Sequence, residues 1–104
     1  MAGRIFALAA CVLLGASGIA YGAGDPAAGK AKSAICAGCH GPDGNSTIPA
    51  NPKLAGQHEQ YLIAAIKAYQ DGTRNNPTMK AMVATLGDED IQNLAAYFAG
   101  QTCK

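Results

Sequence analysis

Two thiols three residues apart, with an imidazole directly after the second, occur once in this chain of 104 residues, at Cys36-Ala37-Gly38-Cys39-His40. Three chemistries use such a pattern: a dithiol redox pair, half of a zinc site, or covalent attachment of a c-type haem. A redox dithiol sits at the start of a helix that follows a strand, where the helix dipole lowers the first thiol's pKa. Here the cysteines come at the end of a helical pattern, and no strand pattern precedes them. A structural zinc needs four ligands, usually with a second CxxC, CxxH or HxxxH pair. After the N-terminal segment only His58 and Cys103 remain, and they are not paired; HExxH is absent, since His58-Glu59 is followed by Gln60, Tyr61 and Leu62. The haem reading needs no further cysteine. Each thiol adds to one vinyl group to make a thioether, and the short reach holds the adjacent His40 imidazole beneath the iron as an axial ligand. Haem is the favoured reading, with zinc and redox dithiol left as alternatives.

If His40 takes one face of the iron, the other face needs a donor or stays open. Met79, Met82 and His58 are the candidates. Met79 lies in NNPTM just past Pro77, where a loop is expected to present it inward. Met82, ahead of the apolar stretch VATL, reads as gap-filling core. His58 reads as a solvated residue at a helix start. Met/His ligation favours the ferrous state and raises the potential, and a saturated iron then moves electrons and binds little else.

The elements that position these residues read as follows. Asp25-Pro26 starts a helix, with Asp25 accepting from first-turn amides and Pro26 at the first helical position; it is expected to run to about Cys36 or Ala37. GPDGNSTIPANPKLAG is rich in turn formers and makes a long loop, a length that implies it wraps something. From Gln57 to Gln70, Leu62, Ala65, Ile66 and Tyr69 share one face at helical spacing, and Gly72 stops the helix. A second loop, DGTRNNPTMKAM, leads to Gly87 and a last helix in which Ile91, Leu94, Ala95 and Phe98 share a face, with Gly100 at the C-terminal cap position. No period-two alternation appears. The expected class is all-α, with three to four short helices and long loops.

The first residues carry Arg4, an apolar run from Ile5 to Leu14, and small residues around Ala20, Gly22 and Ala23. That layout is a secretory signal peptide over residues 1–22, cleaved near Gly22, followed by one domain over 23–104. The run is shorter than the roughly 20 apolar residues of a membrane span. An uncleaved anchor is the alternative; Leu8-Ala9-Ala10-Cys11 has the look of a lipoprotein box but lacks an apolar region before it. The whole chain carries eight Lys and Arg against seven Asp and Glu, and removing Arg4 leaves seven of each. Such a balance excludes a nucleic-acid surface built of clustered basic residues and supplies no steering charge toward a partner. The chain has no Trp, and so small and aromatic-poor a domain needs a staple that a large apolar cofactor would provide.

The stretches DPAAGKAKSAICAGCHGPDGNS, NPKLAGQHEQYL and LGDEDIQNLAAYFAGQ resemble a class I cytochrome c, closest to one half of the dihaem cytochrome c4 family and to small single-haem relatives. The resemblance covers nearly all of residues 23–104. It implies one haem c, with iron, bound through Cys36 and Cys39, His40 as the proximal ligand, and Met79, rather than Met82, at the family's spacing from the last helix. It also implies that Pro52, twelve residues after His40, accepts from the His40 ring through its carbonyl and fixes the tautomer. Gly29, Leu94 and Tyr97 fall where the first and last helices cross in that fold, and Leu54 and Gly56 line or flank the haem face. Two features depart from the family. Gly87 stands where a serine cap is usual, at a cost of a few tenths of a kcal/mol, and one CxxCH motif replaces the two of a dihaem protein, so a partner or a homodimer would supply a second haem.

The implied function is a periplasmic single-electron carrier, not an enzyme, docking transiently on larger redox proteins through a small interface. A haem protein with an open sixth position, as an enzyme subunit or a ligand binder, is the alternative. Asp88-Glu89-Asp90 reads as first-turn acids complementing a helix dipole rather than a docking patch. Asp43-Gly44-Asn45 reads as a turn, Arg74 as either a haem propionate partner or a solvated residue, and Cys103 as an odd thiol able to pair between chains or stay free.

Overall fold

The computed structural model describes residues 24–104, and all its regular structure there is helical. The expected signal peptide, residues 1–22, lies outside the described residues. Five helices follow in order: α1 (Pro26–Lys32), α2 (Ala34–His40), α3 (Glu59–Asp71), α4 (Pro77–Val83) and α5 (Asp88–Ala99). The count exceeds the expected three to four for two separate reasons.

The first reason is a break at Ser33. Asp25 caps α1 as expected, its carboxylate accepting from the Ala27 N–H at 2.9 Å. The helix does not continue to Cys36. Ser33 is buried and its hydroxyl donates back to the Lys30 carbonyl at 2.7 Å, while its own N–H is shared between the Gly29 and Lys30 carbonyls. A serine hydroxyl that competes for a carbonyl of the preceding turn bends a helix, and the chain restarts as α2. The second reason is Asn76-Pro77. The turn formers around Met79 predict a loop, but Asn76 Oδ1 accepts from the Met79 N–H at 3.0 Å and Pro77 occupies the first turn, so Met79 and Met82 both sit on α4.

α5 is the organising element. Ile91, Leu94, Ala95, Tyr97 and Phe98 are buried on it, and it packs against both α1 and α3, with α4 leaning on α3. Asp90 accepts from the Gly87 N–H at 3.2 Å, half of a capping box that replaces the missing serine. The first-turn acids pair with α1 and α3, Lys32 to Asp90 at 3.8 Å and Lys67 to Asp88 at 3.5 Å. At the crossing of α1 and α5 a Cβ added to Gly29 would stand 1.9 Å from the Asn93 carbonyl oxygen and 2.9 Å from the Tyr97 Cβ. The backbones therefore touch, and the crossing partners of Gly29 are Asn93 and Tyr97; Leu94 instead faces the interior cavity. At the helix ends, Gly72 adopts the left-handed geometry (φ 83°) expected of a glycine stop, whereas Gly100 ends α5 in right-handed geometry (φ −79°) and needs no glycine freedom.

The long loop between α2 and α3 is tied down rather than free. Gly44 (φ 81°) is buried, and its carbonyl accepts from the Leu54 and Ala55 N–H groups at 2.8 and 3.2 Å. Tyr97 Oη donates to the Pro42 carbonyl at 2.8 Å. These bonds fold the loop back over the end of α5.

Candidate functional site

Spacing on one helix brings the CAGCH side chains together. Cys36, Cys39 and His40 lie at i, i+3 and i+4 of α2, which is one face, and all three line a cavity of about 390 Å³. That volume falls in the range of small-molecule and cofactor pockets. α3 contributes Leu62, Ala65, Ile66 and Tyr69, the face read from the sequence, and α5 contributes Leu94, Ala95 and Phe98. Met79 and Met82 line it from α4. The wall is mostly apolar, with a few polar groups among them Arg74, whose guanidinium lies 4.5 Å from the centre of the Tyr69 ring.

His40 is buried, and its Nδ1 lies 2.8 Å from the Pro52 carbonyl oxygen. A carbonyl can only accept, so this hydrogen bond requires Nδ1–H and leaves Nε2 with its lone pair available as a metal donor. Pro52 itself has no N–H, and its carbonyl is brought over the ring by the loop that Gly44 anchors. The Asn51 side chain donates to the Cys39 carbonyl at 3.0 Å, satisfying one of the free carbonyls at the end of α2. No periodicity or motif singles out Asn51; its role follows from the loop's path.

The remaining sequence candidates divide. Leu54 lines the cavity, whereas Gly56 does not; its neighbours are Gln101 and Cys103 of the C-terminal tail. Met82 is not gap-filling core but 42% exposed at the cavity's rim, as is Tyr61 at 52%. His58 is exposed, precedes α3 and is not part of the lining. Cys103 is exposed and is not part of the lining.

This arrangement discriminates among the three chemistries. A redox thiol must be a ready thiolate, yet burial pushes the Cys36 thiol up, and the two cysteines sit in the second half of a helix rather than at its start. For zinc, neither His58 nor Cys103 joins the CAGCH residues, and among the described residues no group of three or more His, Cys, Asp or Glu gathers to hold a metal ion. A haem suits the donor set: two thiols and an imidazole with a free nitrogen on one face, and a broad apolar wall around them.

Comparison with known proteins agrees. The family model described as cytochrome c matches residues 26–101. The chain is 50% identical over 88 residues to cytochrome c4 of Pseudomonas aeruginosa, covering 85% of this chain and 44% of that protein. It is 48% identical over 82 residues to cytochrome c-554(548) of Halomonas halodenitrificans, covering 76% of this chain and 99% of that one. The structure of reduced recombinant cytochrome c4 from Pseudomonas stutzeri superposes with a TM-score of 0.75 at 41% identity, over 79% of this chain and 48% of the other. The chain thus spans about half the length of the cytochrome c4 relatives and nearly all of the c-554(548) relative. With a five-helix all-α fold, a CAGCH helix facing an apolar cavity and these relatives, the chain belongs to the cytochrome c family as a class I c-type cytochrome whose cofactor is covalently bound haem c.

Proposed function

We propose that the protein is a periplasmic carrier of single electrons, exported with residues 1–22 removed, in which Cys36 and Cys39 hold the haem, and His40 and Met79 are its axial ligands. The observation that carries this reading is the shared cavity. A helix bearing two thiols and an oriented imidazole, and another bearing a thioether, line the same apolar space. The bound haem would supply one reversible electron; the chain's own residues govern the conditions under which it does so. His40, held by Pro52, presents Nε2 in a fixed orientation. Leu62, Ile66, Leu94 and Phe98 exclude water, and a low-dielectric surround with an axial sulfur raises the potential. Arg74 and Lys53 lie at the lining, where cations suit the carboxylates of a haem edge. Partners are larger redox proteins docking weakly, as electron-transfer encounters do. Among the described residues no helix is long and apolar enough to cross a membrane.

The test is the visible and near-infrared spectrum of oxidised and reduced holoprotein matured in a host that attaches c-type haem. A haem resistant to denaturing extraction, together with the weak sulfur-to-ferric-iron charge-transfer band, is expected. In Met79→Ala the band should vanish and the potential fall. A band that survives in Met79→Ala would transfer the ligand role to Met82, the other methionine lining the cavity. A wild-type protein with covalent haem and no such band would indicate an open or differently filled sixth position, and with it ligand binding or catalysis.

A further inference from the structure

The helix that carries Met79 is held to the body of the protein by few groups. α4 has seven residues, and Val83 is the one that is buried. So short a helix has little stability of its own, and its main helical neighbour is α3. Near the end of α3, the half-buried Gln70 aims its side-chain amide at the far end of this segment. Its Nε2 donates to the carbonyl of Val83 and to that of Leu86, both at 2.8 Å. An amide nitrogen carries two hydrogens, so both donors are used in one clasp. Val83 and Leu86 line the cavity, and Val83 follows Met79 by four residues, one turn along the same face.

We propose that Gln70 is the positioning residue that governs how readily Met79 leaves the iron, by clasping the C-terminal end of α4 and the turn after it to α3. This rests on the reading of Met79 as an axial ligand. Moving α4 away from the cavity as a unit requires both hydrogen bonds to break, while the crossing of α1 and α5 and the Pro52 contact to His40 are untouched. Electron carriage needs the sixth position closed; the clasp is what separates that state from one open to small ligands. Local opening of a weakly attached segment is the ordinary route to such a minor state.

The experiment compares wild type, Gln70→Leu and Gln70→Glu as oxidised holoproteins. Gln70→Leu removes both donors, and Gln70→Glu retains the length of the side chain while removing them at neutral pH. Imidazole affinity, which requires displacement of the sixth ligand, should rise about tenfold or more in both variants, the loss expected from two hydrogen bonds of ordinary strength. Amide exchange of α4 and the Leu86 turn should accelerate by a similar factor while amides of α1 and α5 keep their wild-type rates. Unchanged imidazole affinity in both variants overturns the proposal, and so does acceleration of all amides together, which would mark Gln70 as a general stabiliser. Met79→Ala is measured alongside. If it alters neither the charge-transfer band nor imidazole affinity, the ligand reading has failed and the clasp falls with it; a responsive Met79→Ala with unresponsive Gln70 variants defeats the clasp alone.

Discussion

The two sides of the cavity are built differently. The side bearing Cys36, Cys39 and His40 is locked by contacts that converge from distant parts of the chain: Pro52 on the His40 ring, Asn51 on the Cys39 carbonyl, Tyr97 on the Pro42 carbonyl, and Gly29 pressed against Asn93. The side bearing Met79 is a short, largely exposed helix held by a cap at one end and the Gln70 clasp at the other. On the first side, removing one contact leaves several others. On the second, each contact carries much of the attachment. The cavity therefore combines a wall held by many contacts with one held by few, and on the proposed reading the sixth position belongs to the weakly held wall.

The largest effect should come from breaking the rigid side at its closest approach. Gly29→Ala puts a methyl where a backbone carbonyl already stands, 1.9 Å away. Overpacking against two helix backbones that cannot yield should cost about 3 kcal/mol or more, a large share of a small domain's stability. Denaturant unfolding of the holoprotein reads it, and a loss below 1 kcal/mol would mean that the crossing is looser than the geometry implies.

Two smaller changes of similar size sharpen the comparison. Tyr97→Phe removes the partly buried hydrogen bond to the Pro42 carbonyl and should cost about 1 kcal/mol. Asn76→Ala removes the cap of α4 and should also cost about 1 kcal/mol. Their consequences should part. Tyr97→Phe is expected to lower the unfolding midpoint with imidazole affinity unchanged, and Asn76→Ala to raise imidazole affinity. Equal effects of both on imidazole affinity would erase the distinction between the two sides.

The smallest effect concerns acid. The Asp43 carboxyl is held below the ordinary carboxylate range, first by its hydrogen bond from Asn45 and then by nearby Lys104. A carboxyl with a lowered folded pKa contributes stability that is present above its unfolded pKa and lost as pH falls through the folded one. Asp43→Asn should therefore lower the unfolding midpoint slightly at neutral pH and flatten its loss on acidification, so that variant and wild type converge in acid, as a titration of the unfolding midpoint would show. Because this carboxyl is partly open to solvent, screening keeps the effect small.

How much of this was legible beforehand follows from the range of each interaction. The face of α3 and the core stripe of α5 were readable because helical periodicity is local. The shared face of Cys36, Cys39 and His40 was not, because the helical pattern is expected to end at about Cys36 or Ala37, whereas α2 runs on through His40. The cap at Asp25-Pro26 is legible in the sequence; the same pairing at Asn76-Pro77 starts α4 but lies within a run of turn formers that reads as a loop. The break at Ser33 was hidden because serine is tolerated in a helix, and whether its hydroxyl turns back on a carbonyl depends on the burial around it. Met82 looked like core because its neighbours in sequence are apolar, yet it lies at a rim that only the placement of α4 defines.

By itself the sequence determined the all-α class and the apolar stripes of α3 and α5, and it narrowed the chemistry of CAGCH to three candidates, because those depend on residue types and on short spacings. Residue types and spacing left undecided the contacts across twelve or more residues: Pro52 over His40 and Gly29 at the helix crossing, which only the family resemblance implied, and Gly29's partner Asn93 and Gln70 on Val83 and Leu86, which tertiary structure alone decided. These have no period. They form where the loop and α4 are carried by the packing around α5, and that packing is a property of the whole chain.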